Sequence, residues 1–137
     1  PVNKRLQFVR ACLQHYGDVV LWGELDCSEL VARGGLAVGL PHRGSTHRAQ
    51  TYFNENPGTD APRMGDLCFW GENPEHVRHV AVGLDDGGKH VLSADGATSK
   101  VVHDHAPNSA RVRIHTGTHW YHAAPFLGWR SHQELDM

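Results

Sequence analysis

The chain has 137 residues, 39% of them hydrophobic, and 13 Lys and Arg against 15 Asp and Glu give a formal net charge of -2. That length and composition suit one globular domain over residues 1–137 with a sizeable core, and exclude a disordered or fibrous chain. The charge balance gives no electrostatic footprint for nucleic acid or an anionic membrane, and no apolar run approaches the ~20 residues of a membrane span.

The opening residues PVNKRLQFVR lack the apolar core of a secretion signal. Leu6, Val9, Leu13 and Tyr16 recur at helical spacing and predict an amphipathic helix from about Lys4 to Tyr16, stopped by Gly17-Asp18. A short apolar piece, VVLWG, leads into LDCSELVARGGLAVGL. There Asp26 and Ser28 are helix-start residues, and Leu30, Val31 and Leu36 continue an apolar face. Gly34-Gly35 weakens that helix, and Leu40-Pro41 closes the segment. A third short helix is expected from Thr46 to Phe53, capped by Ser45 or Thr46. After the polar connection NENPGTDAPRMG come five strand-like segments: Asp66–Trp70, His79–Leu84, His90–Ala94, Arg111–Ile114 and Phe126–Arg130. DDGGK reads as a hairpin turn between the second and third. Helices first and strands later predict an α+β domain with an antiparallel sheet of about five strands.

Cys12, Cys27 and Cys68 are odd in number and irregular in spacing, with no CxxC pair, so neither a disulfide framework nor a zinc ribbon is indicated. Cys27 sits where an apolar piece turns into a helix. There, unpaired N–H groups and the macrodipole favour a thiolate, and the same N–H groups can face an oxyanion. A buried, inert thiol is the competing reading. A thiol nucleophile needs a base, and His79, which opens the apolar run HVAVGL after a polar loop, is the candidate. It is one of 12 histidines, whose titration is expected to reverse the sign of the net charge under mildly acidic conditions.

Three segments, in order, resemble the NlpC-like cell-wall cysteine peptidases. WGELDCSELV is similar to the family's WGG…DCSGLV, LPHRGSTHRAQ…PRMGDLCFW to LPR…Q…PGDLVFF, and HVAVGLDDGGKHVLSADG to HVGIYLGDGxxxHA. The resemblance spans Val20 to Gly96 and implies a papain-like fold, with the helices packed on the sheet. It also implies hydrolysis of an amide bond in peptidoglycan by Cys27 with His79 as general base. No cofactor is implied, and the substrate is peptidoglycan, cut most often within the stem peptide between D-glutamate and the diamino acid, or, in an amidase of the family, between sugar and peptide. An extracellular, periplasmic or virion-associated location and phage-tail or secretion-system partners accompany that reading. The chain departs from the family at Glu29, where Gly is usual, at Val20, where a Tyr often stands, and in a short Trp22–Cys27 loop.

The family's third polar residue lies on the strand after the His strand, where it fixes the imidazole tautomer. Ser93 falls on that position; Asp95 shares its face of the strand and supplies charge, whereas His90 has the opposite parity. Asp26 reads either as a helix cap or as a substrate-amine contact, and Trp22, Trp70 and Trp120 are candidates to line a groove. Cys68 and Cys12 read as core residues. Two other classes stay open: a zinc hydrolase built from His76, His79, His103-Asp104-His105, His115, His119 and His122, and a non-catalytic wall-binding or phage-tail module of the same fold.

Overall fold

The computed structural model describes residues 3–20, 25–41, 48–95 and 110–137. Three helices, α1 (Lys4–Leu13), α2 (Cys27–Leu36) and α3 (Ala49–Glu55), come before a sheet of strands β1 (Gly58–Thr59), β2 (Leu67–Asn73), β3 (His76–Gly83), β4 (His90–Ala94), β5 (Val112–Thr116) and β6 (Phe126–Arg130). The strands lie in the order β1-β6-β2-β3-β4-β5, all pairs antiparallel, and a 3-10 helix, Gln133–Asp136, follows. This is the expected α+β architecture with one strand more. The sixth is β1, two residues of the polar connection paired with Trp129 and Arg130, too short to show a period of two.

Asn3 caps α1, its side-chain oxygen accepting from the amides of Arg5 (3.0 Å) and Leu6 (3.3 Å). The helix is three residues shorter than its apolar spacing predicts, and its buried stripe is Arg5, Phe8, Val9 and Cys12. Leu6 and Tyr16 are exposed. The chain leaves the helix early because its next segment runs beside β5. Gly17 N–H donates to Val112 O (2.9 Å) and Val20 N–H to Ala110 O (2.8 Å), with Gly17 at φ 83° making the turn.

α2 runs through Gly34 and Gly35 without a break, because that pair is a contact surface. A Cβ on Gly34 would lie 2.4 Å from Cys12 Sγ and 2.8 Å from Phe8 Cε1. The missing side chain is what lets α1 and α2 approach. α3 begins at Ala49, three residues later than predicted, with Arg48 before it; Ser45 and Thr46 lie outside the described residues.

Alternation sorts the sheet into two faces. Leu67, Phe69, Val80, Val82 and Leu92 pack with Phe8, Val9, Leu30 and Val31 of the helices. Cys68, Trp70, Ala81 and Val91 point the other way and are covered by Trp120, Tyr121, Ala124 and Trp129. In the DDGGK turn, Gly87 and Gly88 take φ values of 91° and 66°, and Asp85 Oδ1 accepts from the amides of Lys89 and His90.

An ionic knot that no hydropathy pattern announces, buried at Arg5 and Asp66 and exposed at Asp136, joins α1 to the start of β2 and to the C-terminal turn. The Arg5 guanidinium donates to Asp66 Oδ1 (2.7 Å), to both Asp136 oxygens (2.9 Å each) and to Met64 O (2.9 Å), while Asp66 Oδ1 also accepts from the His132 amide. Arginine's fork of donors is what makes so many simultaneous contacts possible. Fully buried His132 abuts the edge of Phe8, and its Nδ1–H donates to Gly65 O (3.2 Å).

Gly34→Ala is expected to cost about 1–3 kcal/mol by overpacking the α1–α2 contact. Adding Cys12→Ala should recover part of that loss, a non-additivity that a double-mutant cycle by denaturant unfolding measures. A second expectation concerns acid. Burial holds His132 down to about 4 and His79 down to about 3. A depressed His pKa contributes stability above the unfolded value of roughly 6.5, and that contribution fades as pH falls from there towards the folded values. The Tm should therefore drop between about pH 6.5 and pH 4, and His132→Gln should flatten that slope even if it lowers the Tm at neutral pH. An unchanged slope in His132→Gln counts against this assignment.

Candidate active site

α2 starts at Cys27 because the preceding residue caps it. Asp26 Oδ1 accepts from the Glu29 amide (3.0 Å) and from Ser28 Oγ–H (3.1 Å). The cap puts the thiol at the positive end of the helix, half-buried, whereas Cys12 and Cys68 are fully buried. Glu29, the departure from the family's Gly, turns back along the helix to Arg33 (3.3 Å). Burial pushes the Cys27 thiol up to about 11, and the Asp26 charge adds to this. Backbone amides around Val80, Ser28 and Cys27 itself pull the other way. Burial holds the thiols of Cys12 and Cys68 well above their ordinary value.

His79 lies on β3, opposite Trp70 of β2. β4 pairs with β3 through Val82–Leu92 and Gly83–Val91, and continuing that register sets Ser93 opposite Ala81, one pleat from His79 on the same face. The outcome is a hydrogen bond between His79 Nε2 and Ser93 Oγ of 2.7 Å, with Ser93 fully buried. That contact occupies Nε2 and leaves Nδ1 for a second partner. Burial, with a smaller effect of nearby His115, keeps the imidazole neutral.

Cys27, His79, Asp26 and Asp95 all line one cleft of about 570 Å³, which Arg48 and Tyr121 also border. The sequence-derived thiol, base and Asp26 thus come together. Asp95 goes elsewhere: its Oδ2 accepts from His115 Nε2, while Oδ1 is buried with no hydrogen-bond partner among the described residues. Ser93, not Asp95, is the residue on the imidazole. Trp70 is fully buried and Trp120 reaches the cleft, whereas Trp22 lies outside the described residues.

Sequence reasoning missed the aromatic shell of His79. Tyr121 stacks on the imidazole (centroids 4.6 Å, 19°), Trp70 leans over it (5.6 Å) and Trp120 meets it edge-on (6.0 Å). The run HWYH after a turn signal was the available clue. Among the described residues no group of three His, Cys, Asp or Glu could hold a metal ion, and His103, Asp104 and His105 lie outside them. No helix among the described residues is long and apolar enough to cross a membrane.

No family model and no curated protein matches the chain in sequence. Solved structures do match. The NlpC/p60 domain of the peptidoglycan hydrolase SagA superposes with a TM-score of 0.66 at 23% identity, over 95% of this chain and 99% of that one. RipD from Mycobacterium tuberculosis, a non-catalytic NlpC/p60 protein adapted to peptidoglycan binding, gives 0.65 at 15%, over 96% and 98%. A lipoprotein-like NLP/P60 protein from Staphylococcus aureus gives 0.65 at 17%, over 96% of this chain but only 42% of its own. The chain therefore has the α+β fold of the NlpC/p60 cell-wall peptidases.

Proposed function

We propose that the chain is a cysteine hydrolase that cuts an amide bond in a peptidoglycan stem peptide. The observation that carries this reading is that His79, held from behind by a hydrogen bond to buried Ser93, lines the same cleft as a helix-start thiol. With Nε2–H donating to Ser93 Oγ, Nδ1 carries the lone pair that a general base needs. Cys27 Sγ attacks the scissile carbonyl as its proton passes to His79, giving a tetrahedral intermediate. Amides at the start of α2 stabilise its oxyanion. His79 then protonates the leaving amine, and the resulting thioester is hydrolysed by water that His79 deprotonates. The ion pair has to form against burial on both sides, since the resting groups are a thiol near 11 and an imidazole near 3. Closure of the cleft by substrate excludes water and strengthens the attraction within the pair.

The bond most in keeping with the family resemblance is the one between D-glutamate and the diamino acid. The same substrate implies an extracellular, periplasmic or virion-associated site of action. The likeness to RipD supports a second reading, a wall-binding module of the same fold, but this chain keeps both Cys27 and His79.

Cys27→Ala should lower lytic activity on purified peptidoglycan by about 10³-fold or more, with fragments identified by mass spectrometry. Chelation should leave the wild-type rate unchanged, and thiol alkylation should abolish it. A Cys27→Ala variant as active as the wild type sinks the thiol mechanism, and a wild-type protein that binds peptidoglycan without releasing fragments supports the binding module. Ser93→Ala should reduce kcat by about tenfold with KM little changed, the equivalent of one hydrogen bond that holds the base.

A further inference from the structure

We propose that Trp120 and Tyr121 form an aromatic clamp that positions the His79 imidazole, and that Asp95 acts on His79 through this clamp by holding His115. The inference rests on the reading of Cys27 and His79 as a working pair.

The bond to Ser93 fixes one atom of the ring, and a single hydrogen bond leaves the imidazole free to pivot about it. The remaining freedom is removed by stacking. Tyr121 lies nearly parallel to the ring at 4.6 Å (19°), and Trp120 closes the side edge-on at 84°. Neither aromatic is on a strand; both belong to the connection between β5 and β6, so something must hold them in place. Trp120 stacks face to face on His115 at 3.8 Å and 11°, and its Nε1–H donates to Gly117 O at 3.1 Å. His115 is fixed in turn by Asp95 Oδ2, and the Asp95 amide is tied to Arg111 O at 3.1 Å. A continuous set of contacts thus runs from the end of β4, through β5 and the aromatic pair, to the base. It accounts for a carboxylate that borders the cleft yet binds a different histidine.

The stack has a chemical consequence besides orientation. When His79 takes up the thiol proton, the ring becomes a cation with an aromatic face beside it. The Tyr121 quadrupole attracts that cation more than the neutral ring. The clamp therefore favours the charged state of the base, in a site where burial opposes it. The other titratable groups that line the cleft among the described residues are Arg78 on the same strand, Asp26 and Cys27 at the start of α2, Arg48 before α3, His122 beside Tyr121, and Asp95, which pairs with His115.

The test uses iodoacetamide, because Cys27 is the one thiol that is not fully buried. The alkylation rate followed from about pH 5 to 9 reports the state of the thiol and its base, whatever the natural substrate is. His79→Ala should change that profile. Tyr121→Leu should slow alkylation at neutral pH by about tenfold and lower kcat by a similar factor with KM held, matching the upper range of such cation contacts. Tyr121→Phe keeps the ring face and should restore the wild-type profile. His115→Gln should act in the same direction as Tyr121→Leu, and it decides the matter if the leucine variant does not fold. Folded Tyr121→Leu or His115→Gln with wild-type profiles overturns the clamp alone. A profile that His79→Ala leaves unchanged overturns the working pair and the clamp with it.

Discussion

The place of the thiol depends on how closely two helices touch. α2 carries Cys27 at its capped start, packed at the margin of the core, and its later turns are set by the contact of Gly34 with Phe8 and Cys12 of α1. Any side chain there would lift the helix and carry the thiol with it, since a helix transmits displacement along its axis with little loss. α1 is itself held by Arg5, whose guanidinium reaches the start of β2 and the C-terminal turn. Such buried pairs add little net stability over apolar packing, but removing one partner leaves a stranded charge. The knot therefore fixes where α1 lies rather than adding much to the core.

The two faces of the sheet divide the chemistry. The Cys27 thiol arrives from the helical side and packs at the margin of the first core cluster, while His79, Ser93 and the aromatic shell belong to the opposite face. They share a cleft because β3 ends its buried run at His79, beside the register shift that follows Trp70 in β2. A β-bulge of that kind re-aims side chains near a strand end. The base thus sits in a largely apolar setting. That setting explains both its neutral resting state and its need for a hydroxyl rather than a carboxylate as partner: an ionised group beside Ser93's position would have had to be buried on the sheet.

Much of this was legible in the chain. Cys27 and the cap at Asp26 were readable because a helix start is a local signal, and the strands because alternation and turn residues are local too. Ser93 followed from the family resemblance carried across the hairpin, with strand parity setting His90 aside. Three things were not legible. The buried face of α1 was misplaced because Arg5 is a core residue through its partners, and no hydropathy pattern reports a partner 61 residues away. Gly34-Gly35 read as a weakness because propensity knows nothing of the helix packed against it. The stack of Tyr121 on His79 joins residues 42 positions apart through a loop, where periodicity gives no guidance.

The charges at the start of α2 bear on oxidation as well as on folding. Asp26 and Glu29 use the positive end of the helix for two carboxylates, and the thiol between them stays protonated at rest. Peroxide and other oxidants attack the thiolate far faster than the thiol. A thiol kept in its neutral form is chemically quiet. On the proposed mechanism, Cys27 would thus be shielded from the sulfenic and sulfinic acids that permanently ionised thiols accumulate, at the expense of an ion pair made anew in each turnover.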